Sequence, residues 1–255
     1  MFFKLPTGEI VLIDGGPADA GERVVSYLKS AGVRKIDLLI ATHPHEDHIG
    51  GLLPVLDSFP VTKVWDSGYN LGTATQRKFL ESVKRSKSKF EIARAGFSQI
   101  IGDVRIQVIA AGSRSQKKDD ANAAGIITHV SWKELSFLLM ADAEHKDNKT
   151  IDKYPRAGVL KISHHGSRNG TTRPLLQKVK PRVAVVSFGE NNPYGHPHKE
   201  VLKLLDEFNI KLFSTTDGNI VLISNGENLR INNVESGGQS FTDTVKSVLD
   251  IFFRW

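Results

Sequence analysis

Apolar and polar residues alternate along this chain in short blocks rather than long runs, and the blocks predict a strand-rich α/β protein. Residues 10–13 are apolar throughout and lead into Asp14-Gly15-Gly16-Pro17, a strand leaving into a turn. Val24, Tyr27 and Leu28 then recur at helical spacing, which predicts a helix over 21–31 that Gly32 stops. Residues 35–41 read as a buried strand, delivering the chain into Thr42-His43-Pro44-His45-Glu46-Asp47-His48. Pro44 lacks a backbone donor, so a loop is expected there, followed by a short helix over 50–56. Further strands are predicted at 61–65, 104–109, 125–130, 136–141, 159–162, 183–187, 211–214 and 220–223, and helices at 73–85, 174–179 and 199–207. No linker, low-complexity tract or short repeat interrupts the series, so one domain over 1–235 is expected. In the tail, Phe241, Val245, Val248, Leu249, Phe252 and Phe253 fall on a helical stripe. Residues 236–255 are therefore expected as a C-terminal helical extension, docked on its own domain or used in a homodimer or partner contact.

Composition narrows the chemistry. No apolar run approaches the roughly 18 residues of a membrane span. The opening stretch lacks the basic patch, apolar core and small-residue cleavage site of a signal peptide, so a cytoplasmic location is expected. The chain has no cysteine, which excludes disulfides, thiolate zinc sites and cysteine nucleophiles. Any metal must be held by imidazole nitrogen and carboxylate oxygen. The net charge of +6 favours polyanionic partners such as nucleic acid. Basic residues gather at Lys78, Lys84, Arg85, Lys87 and Lys89, at Arg114, Lys117 and Lys118, and at Arg168 and Arg173.

The segment from His43 to His48 is the densest chemistry in the chain, with imidazoles at 43, 45 and 48 and carboxylates at 46 and 47. These are natural ligands for zinc or manganese when sulfur is absent. Ligands two apart and then adjacent face two directions, which suits two divalent ions.

Asp14-Gly15-Gly16 after an early strand, followed by Thr42-His43-Pro44-His45-Glu46-Asp47-His48-Ile49-Gly50-Gly51-Leu52-Leu53, resembles the metallo-β-lactamase superfamily. Leu138-Leu139-Met140-Ala141-Asp142-Ala143-Glu144 is similar to that family's strand ending in a metal-bridging aspartate. Leu160-Lys161-Ile162-Ser163-His164-His165-Gly166-Ser167 and Asn192-Pro193-Tyr194-Gly195-His196-Pro197-His198 resemble a narrower branch, the ComEC-type hydrolase domain of DNA-uptake proteins and its stand-alone relatives. The resemblance runs from about Glu9 to Ile223.

It implies an αββα four-layer sandwich, two mixed β-sheets flanked by helices. His43 and His45 would hold one metal, Asp47 and His48 the other, with Asp142 bridging and His165 completing the second site. Asp14 would orient ligand histidines from behind, as carboxylates commonly do. The resemblance gives His164 contact with substrate or protonation of the leaving group, and puts His196 in the active site. Ser167 would present a donor to a substrate anion, and Arg168 and Arg173 would hold phosphates. One departure stands out: where the family has a further histidine ahead of the bridging aspartate, this chain has Asn122, while the nearby His129 falls inside a predicted strand. The first metal would then be weakly held, filled only with substrate, or completed by water. The implied function is a metal-dependent hydrolase, foremost a phosphodiesterase or nuclease acting on DNA or another phosphodiester through a metal-activated hydroxide. The alternatives are hydrolysis of a carboxylic ester, lactone or thioester, or a non-catalytic metal- and DNA-binding module.

Overall fold

The computed structural model describes residues 1–112, 121–144, 148–234 and 249–253. Its first half runs β1 (Phe2–Lys4), β2 (Ile10–Ile13), α1 (Gly21–Ser30), β3 (Ile36–Ala41), α2 (Glu46–Ile49), α3 (Leu52–Ser58), β4 (Val61–Asp66), α4 (Ala74–Ser86), β5 (Lys89–Ile92), β6 (Ser98–Ile101) and β7 (Val104–Ala110). The second half adds β8 (Ile127–Trp132), β9 (Leu135–Leu139), β10 (Val159–Lys161), α5 (Arg173–Val179), β11 (Val183–Val186), α6 (Lys199–Glu207), β12 (Lys211–Ser214), β13 (Asn219–Ser224), β14 (Leu229–Val234) and β15 (Leu249–Phe253). One sheet has the order β14-β13-β15-β1-β2-β3-β4-β5, the other β12-β11-β10-β9-β8-β7-β6. Both are mixed: β2 to β5 pair parallel in the first, and β9 to β12 in the second.

Strand β3 explains the layering. From Leu38 onward its side chains alternate with period two, sending Leu38 and Ile40 into the core between the sheets. Ile36, Leu39 and Ala41 go instead into a second core, which Val25 and Leu28 of α1, Leu52 and Val55 of α3, and Phe79 and Val83 of α4 close from outside. A strand buried on both faces reads as a continuous apolar run, which is how 35–41 appears in sequence. The second sheet repeats the device. Phe137 and Leu139 face the shared core, while Leu138 and Leu160 pack against Leu175, Leu176 and Val179 of α5 and Val201 and Leu205 of α6. Helix, sheet, sheet and helix thus stack in the expected four layers. No helix among the described residues is long and apolar enough to cross a membrane.

Two expectations are corrected. The described part of the tail is not helical: Leu249–Phe253 form β15, which pairs antiparallel with β13 on one side and β1 on the other. Ile251 is fully buried opposite Phe3 and Leu222. Pairing on both sides overrides a helical stripe drawn only from spacing, because tertiary burial outweighs local propensity. It also leaves no free helix at 249–253 for a homodimer; the rest of that stripe lies outside the described residues. Second, the segment after Pro44 is not all loop. Glu46–Ile49 form α2, with His45 in extended conformation as the residue before the first turn and Glu46 and Asp47 within it. Proline just ahead of a helix start costs no ladder hydrogen bond, and acidic residues there meet the positive end of the helix dipole.

Candidate metal centre

The chemistry-bearing residues sit where parallel strands end. Asp14 follows β2, the His43–His48 segment follows β3, Asp142 follows β9, His165 follows β10 and Ser187 follows β11. The carboxyl ends of strands in open α/β sheets are where ligands ordinarily bind. The backbone there is strained: Asp14, Ala141, His164 and His165 all take positive φ, between 46° and 54°. Non-glycine residues in that region concentrate at sites that need a fixed geometry.

Glycines bring the first two segments together. A Cβ on Gly15 would meet Gly51 C at 2.6 Å, and one on Gly51 would meet Gly15 O at 2.1 Å. Bare backbone on both sides allows Gly15 N to donate to His48 O and Gly51 N to Gly16 O, each at 2.8 Å. The second sheet is tied in similarly, with Ile126 N donating to Thr42 O at 2.9 Å and His164 N to Ala141 O at 3.1 Å. The Ser163 hydroxyl bonds Ala143 O.

Asp142 Oδ2 is the focus. His48 Nε2 and His165 Nε2 each lie 3.4 Å from it, and His43 Nε2 and His164 Nε2 each 3.9 Å. Asp47 Oδ2 is 3.4 Å from His165 Nε2 and 3.9 Å from His48 Nε2. Asp47, His48, Asp142 and His165 each offer a ligand atom, all within 4.8 Å of one another. His43 and His45 adjoin this cluster rather than share it: His43 Nε2 lies 3.1 Å from His45 Nδ1, and the His43 and His48 rings are 4.0 Å apart.

Outward partners set the protons. His48 Nδ1 faces Asp14 Oδ2 at 2.8 Å, His165 Nδ1 faces the Ser187 carbonyl at 2.8 Å, and His164 Nδ1 faces Glu144 Oε1 at 3.2 Å. An acceptor on Nδ1 holds the proton there and turns the Nε2 lone pair inward, the arrangement metal-binding histidines use. Asp14 is held in turn by the backbone N–H and hydroxyl of Thr42, both at 2.8 Å. Among the buried side-chain oxygens of the described residues that have no hydrogen-bond partner are Asp142 Oδ1 and Asn122 Oδ1. Orphaned buried acceptors are costly unless something positive meets them. The nitrogen and oxygen donor set, with Asp142 Oδ1 unpartnered within it, fits a divalent cation.

The electrostatics of the metal-free protein agree. Burial pushes His43 down to about 3. Burial also opposes charge on His48 and His165, but carboxylates prevail. Asp142 and Asp14 hold His48 well above the ordinary range, and Asp142 and Asp47 raise His165 to about 9. Despite its burial, Asp142 is held well below the ordinary range, chiefly by His48 and His165; Asp47, also against the effect of burial, comes down to about 2 beside His165 and His48. The carboxylates of the cluster thus favour protonated His48 and His165.

The other expected residues lie around this cluster. His196 meets the His164 ring edge-on at 5.6 Å between centroids. His198 precedes α6 and accepts from Arg168 N at 3.1 Å. Ser167 is buried, its hydroxyl facing Asn169 N at 3.4 Å within its own turn. The guanidinium of Arg168 reaches Glu200 at 3.0 Å, and that of Arg173 pairs with Glu207 and lies over the Phe208 ring, so both turn toward α6. Arg114, Lys117 and Lys118 lie outside the described residues. Sequence reading missed three groups. Glu144 was legible only as one more acid after Asp142. The Ser187 carbonyl carries no side-chain signal. Lys161 has its side chain in a small cavity behind the site, lined also by Asp14, Thr42, His48 and Ala141.

The chain belongs to the metallo-beta-lactamase superfamily, whose sequence model matches residues 2–190. Within it, the chain is 29% identical over 206 residues to ComE operon protein 3 of Bacillus subtilis (strain 168), covering 78% of this chain and 26% of that protein. It is 27% identical over 211 residues to Competence protein ComA of Neisseria gonorrhoeae, covering 80% and 28%. It is 26% identical over 207 residues to Recombination protein 2 of Haemophilus influenzae, covering 79% and 24%. The match thus spans only about a quarter of each curated relative's length. Among solved structures, Zn(2+)-bound PqqB from Methylobacterium extorquens shares the fold at TM-score 0.55 and 9% identity, covering 81% of each chain. The metallo-beta-lactamase fold protein YhfI from Bacillus subtilis shares it at 0.52 and 14%, covering 81% of this chain and 83% of that one.

Proposed function

We propose that this protein is a metal-dependent phosphodiesterase acting on DNA or a similar phosphodiester. The observation that carries the reading is the meeting of four imidazoles on Asp142 Oδ2, with Asp47 beside two of them. Asp47, His48, Asp142 and His165 would hold one divalent ion; His43, His45, the shared Asp142 and the orphaned Asn122 Oδ1 would hold a second. Bound zinc or manganese acidifies water and polarises the bond under attack.

The protein's own groups divide the remaining work. Asp142 is buried and Asp47 half-exposed, so Asp47 is the carboxylate that meets incoming water and orients it. His164, with its Nδ1–H turned to Glu144, presents Nε2 inward, and as the imidazolium, protonated on both nitrogens, it gives the Nε2 proton to the leaving oxygen. His196, packed edge-on against His164, stands beside the same oxygen and binds the phosphoryl group. Two considerations favour DNA as the substrate: the relatives' names include a competence protein and a recombination protein, and the net charge of +6 suits a polyanion.

The test is a substrate panel of single-stranded DNA, bis-nitrophenyl phosphate and a simple lactone, each with added Mn²⁺ or Zn²⁺. Metal-dependent cleavage of DNA and the phosphate diester is expected. It should vanish in Asp47→Ala and His45→Ala, both of which keep wild-type circular dichroism. Turnover of the lactone alone would replace this reading with carboxylic ester chemistry. Binding of metal and DNA without turnover would make the domain a non-catalytic module.

A further inference from the structure

Beyond the metal cluster, one exposed aromatic ring stands in line with it. Tyr194 is 73% exposed, yet its ring is stacked on His196 with centroids 5.7 Å apart and planes 25° from parallel. His196 in turn abuts His164, whose Nε2 faces Asp142 Oδ2. The three rings form a row leading from solvent to the centre of the site. The loop carrying the row is braced by one side chain. Asn192 Oδ1 accepts from His196 N at 2.9 Å, and Asn192 Nδ2 donates to Gly189 O and His196 O, each at 2.9 Å. A single exposed tyrosine is ordinary on a protein surface. A tyrosine held flat against a histidine, on a braced loop beside a hydrolytic centre, is a prearranged surface for another ring.

We infer that Tyr194, backed by His196, is a stacking platform for one unpaired nucleobase next to the phosphodiester at the metal centre. The inference rests on the phosphodiesterase reading above and narrows it to single-stranded or frayed nucleic acid. Every base has a π-face, so such a platform grips a strand without reading its sequence. A base inside a continuous duplex is already stacked and paired, and must leave the helix before it can meet the ring.

The test is fluorescence anisotropy of a labelled phosphorothioate single strand, in Mn²⁺, against wild type, Tyr194→Ala and Tyr194→Phe. Tyr194→Ala should weaken binding roughly ten-fold, the loss of one base stack, while Tyr194→Phe keeps the ring and the affinity. An abasic version of the strand should bind wild type with the same deficit and lose nothing further in Tyr194→Ala. A blunt duplex should not distinguish the variants. If Tyr194→Ala binds the normal strand as wild type does, or loses as much on the abasic strand, the platform is overturned. Should wild type cut the unmodified strand while Tyr194→Ala binds the phosphorothioate strand as wild type does, only the platform falls. If wild type neither binds nor cuts, both readings fall.

Discussion

Asp14 Oδ2 lies 2.8 Å from His48 Nδ1, so a carboxylate at the end of β2 sets the proton of an imidazole on the helix after β3. Thr42 also donates to Asp14 twice, from its backbone N–H to Oδ1 and from its hydroxyl to Oδ2. Asp14→Asn would put an amide N–H₂ either at Oδ1, facing the Thr42 N–H, or at Oδ2, facing His48 Nδ1 and the Thr42 hydroxyl, and either choice breaks at least one bond. Metal affinity should drop by about 10- to 100-fold, the usual cost of losing such a partner. Calorimetric titration of the metal-free variant measures it. An unchanged affinity would mean that the helix alone orients His48.

The second prediction concerns pH. In the metal-free protein the folded pKa of His43 is about 3 against an ordinary 6.5, so the unfolded chain binds more protons between those values. Stability therefore falls as pH drops from 6.5 toward 3. His165 is the opposite case: its folded pKa is about 9, so its contribution is full below 6.5 and lost as pH rises through 9. His48, also raised, acts in the same direction as His165. Thermal melts in a chelator should peak near pH 6.5. Added metal requires neutral His48 and His165, so it should release protons and move the optimum upward. A flat chelator profile, or metal binding without proton release, would contradict the charge states assigned to these histidines.

The two arginines expected at phosphates separate in the structure. Arg173 is held by Glu207 and the Phe208 ring. Arg168 lies two residues past the His164–Gly166 turn, and its acidic partner Glu200 forms with it an exposed pair of the weak kind. Arg168→Ala should lower DNA affinity and reduce its salt slope by about one, whereas Arg173→Ala should change neither. Glu200→Gln frees Arg168 and should strengthen binding. A salt slope that ignores Arg168→Ala would return both arginines to the role of surface ion pairs.

How much of this was legible depended on whether burial or pairing decided the local structure. The strand over 35–41 was plain because it is buried on both faces, and the helix over 73–85 because Thr73 caps it, accepting from Gln76 N at 3.2 Å. The helix at 199–207 was equally clear from its apolar stripe, of which Val201 and Leu205 are buried. The edge strands β5 and β6 went unread, since Lys89, Phe90, Ile92, Ser98 and Ile100 are exposed and leave no alternation. The strand β15 was read as helix because its partners lie more than two hundred residues away in β1 and nearby in β13, and neither is visible in a local window. The site divides in the same way. Residues whose chemistry is in the side chain, such as His48, Asp142 and His165, could be named from motifs. Those acting through a backbone carbonyl or from behind, such as Ser187 and Glu144, needed three dimensions.

The last prediction returns to Asn122. Its Oδ1 is buried without a hydrogen-bond partner, and the turn it belongs to runs into Ile126, whose N–H donates to Thr42 O, the residue before His43. An amide oxygen is a harder and weaker ligand than imidazole, better suited to manganese than to zinc. Occupancy should therefore be unequal: a tight ion at Asp47, His48, Asp142 and His165, where two carboxylates meet two imidazoles, and a looser one at His43 and His45. Calorimetry on metal-free protein should resolve two steps, and activity should continue to rise with Mn²⁺ beyond the first equivalent. Asn122→His should tighten the second step and shift its preference toward zinc. Asn122→Ala should weaken it while leaving the first step intact, which separates a ligand role from a general loss of fold. Two equally tight sites in the wild type, unchanged in both variants, would show that Asn122 takes no part in holding metal.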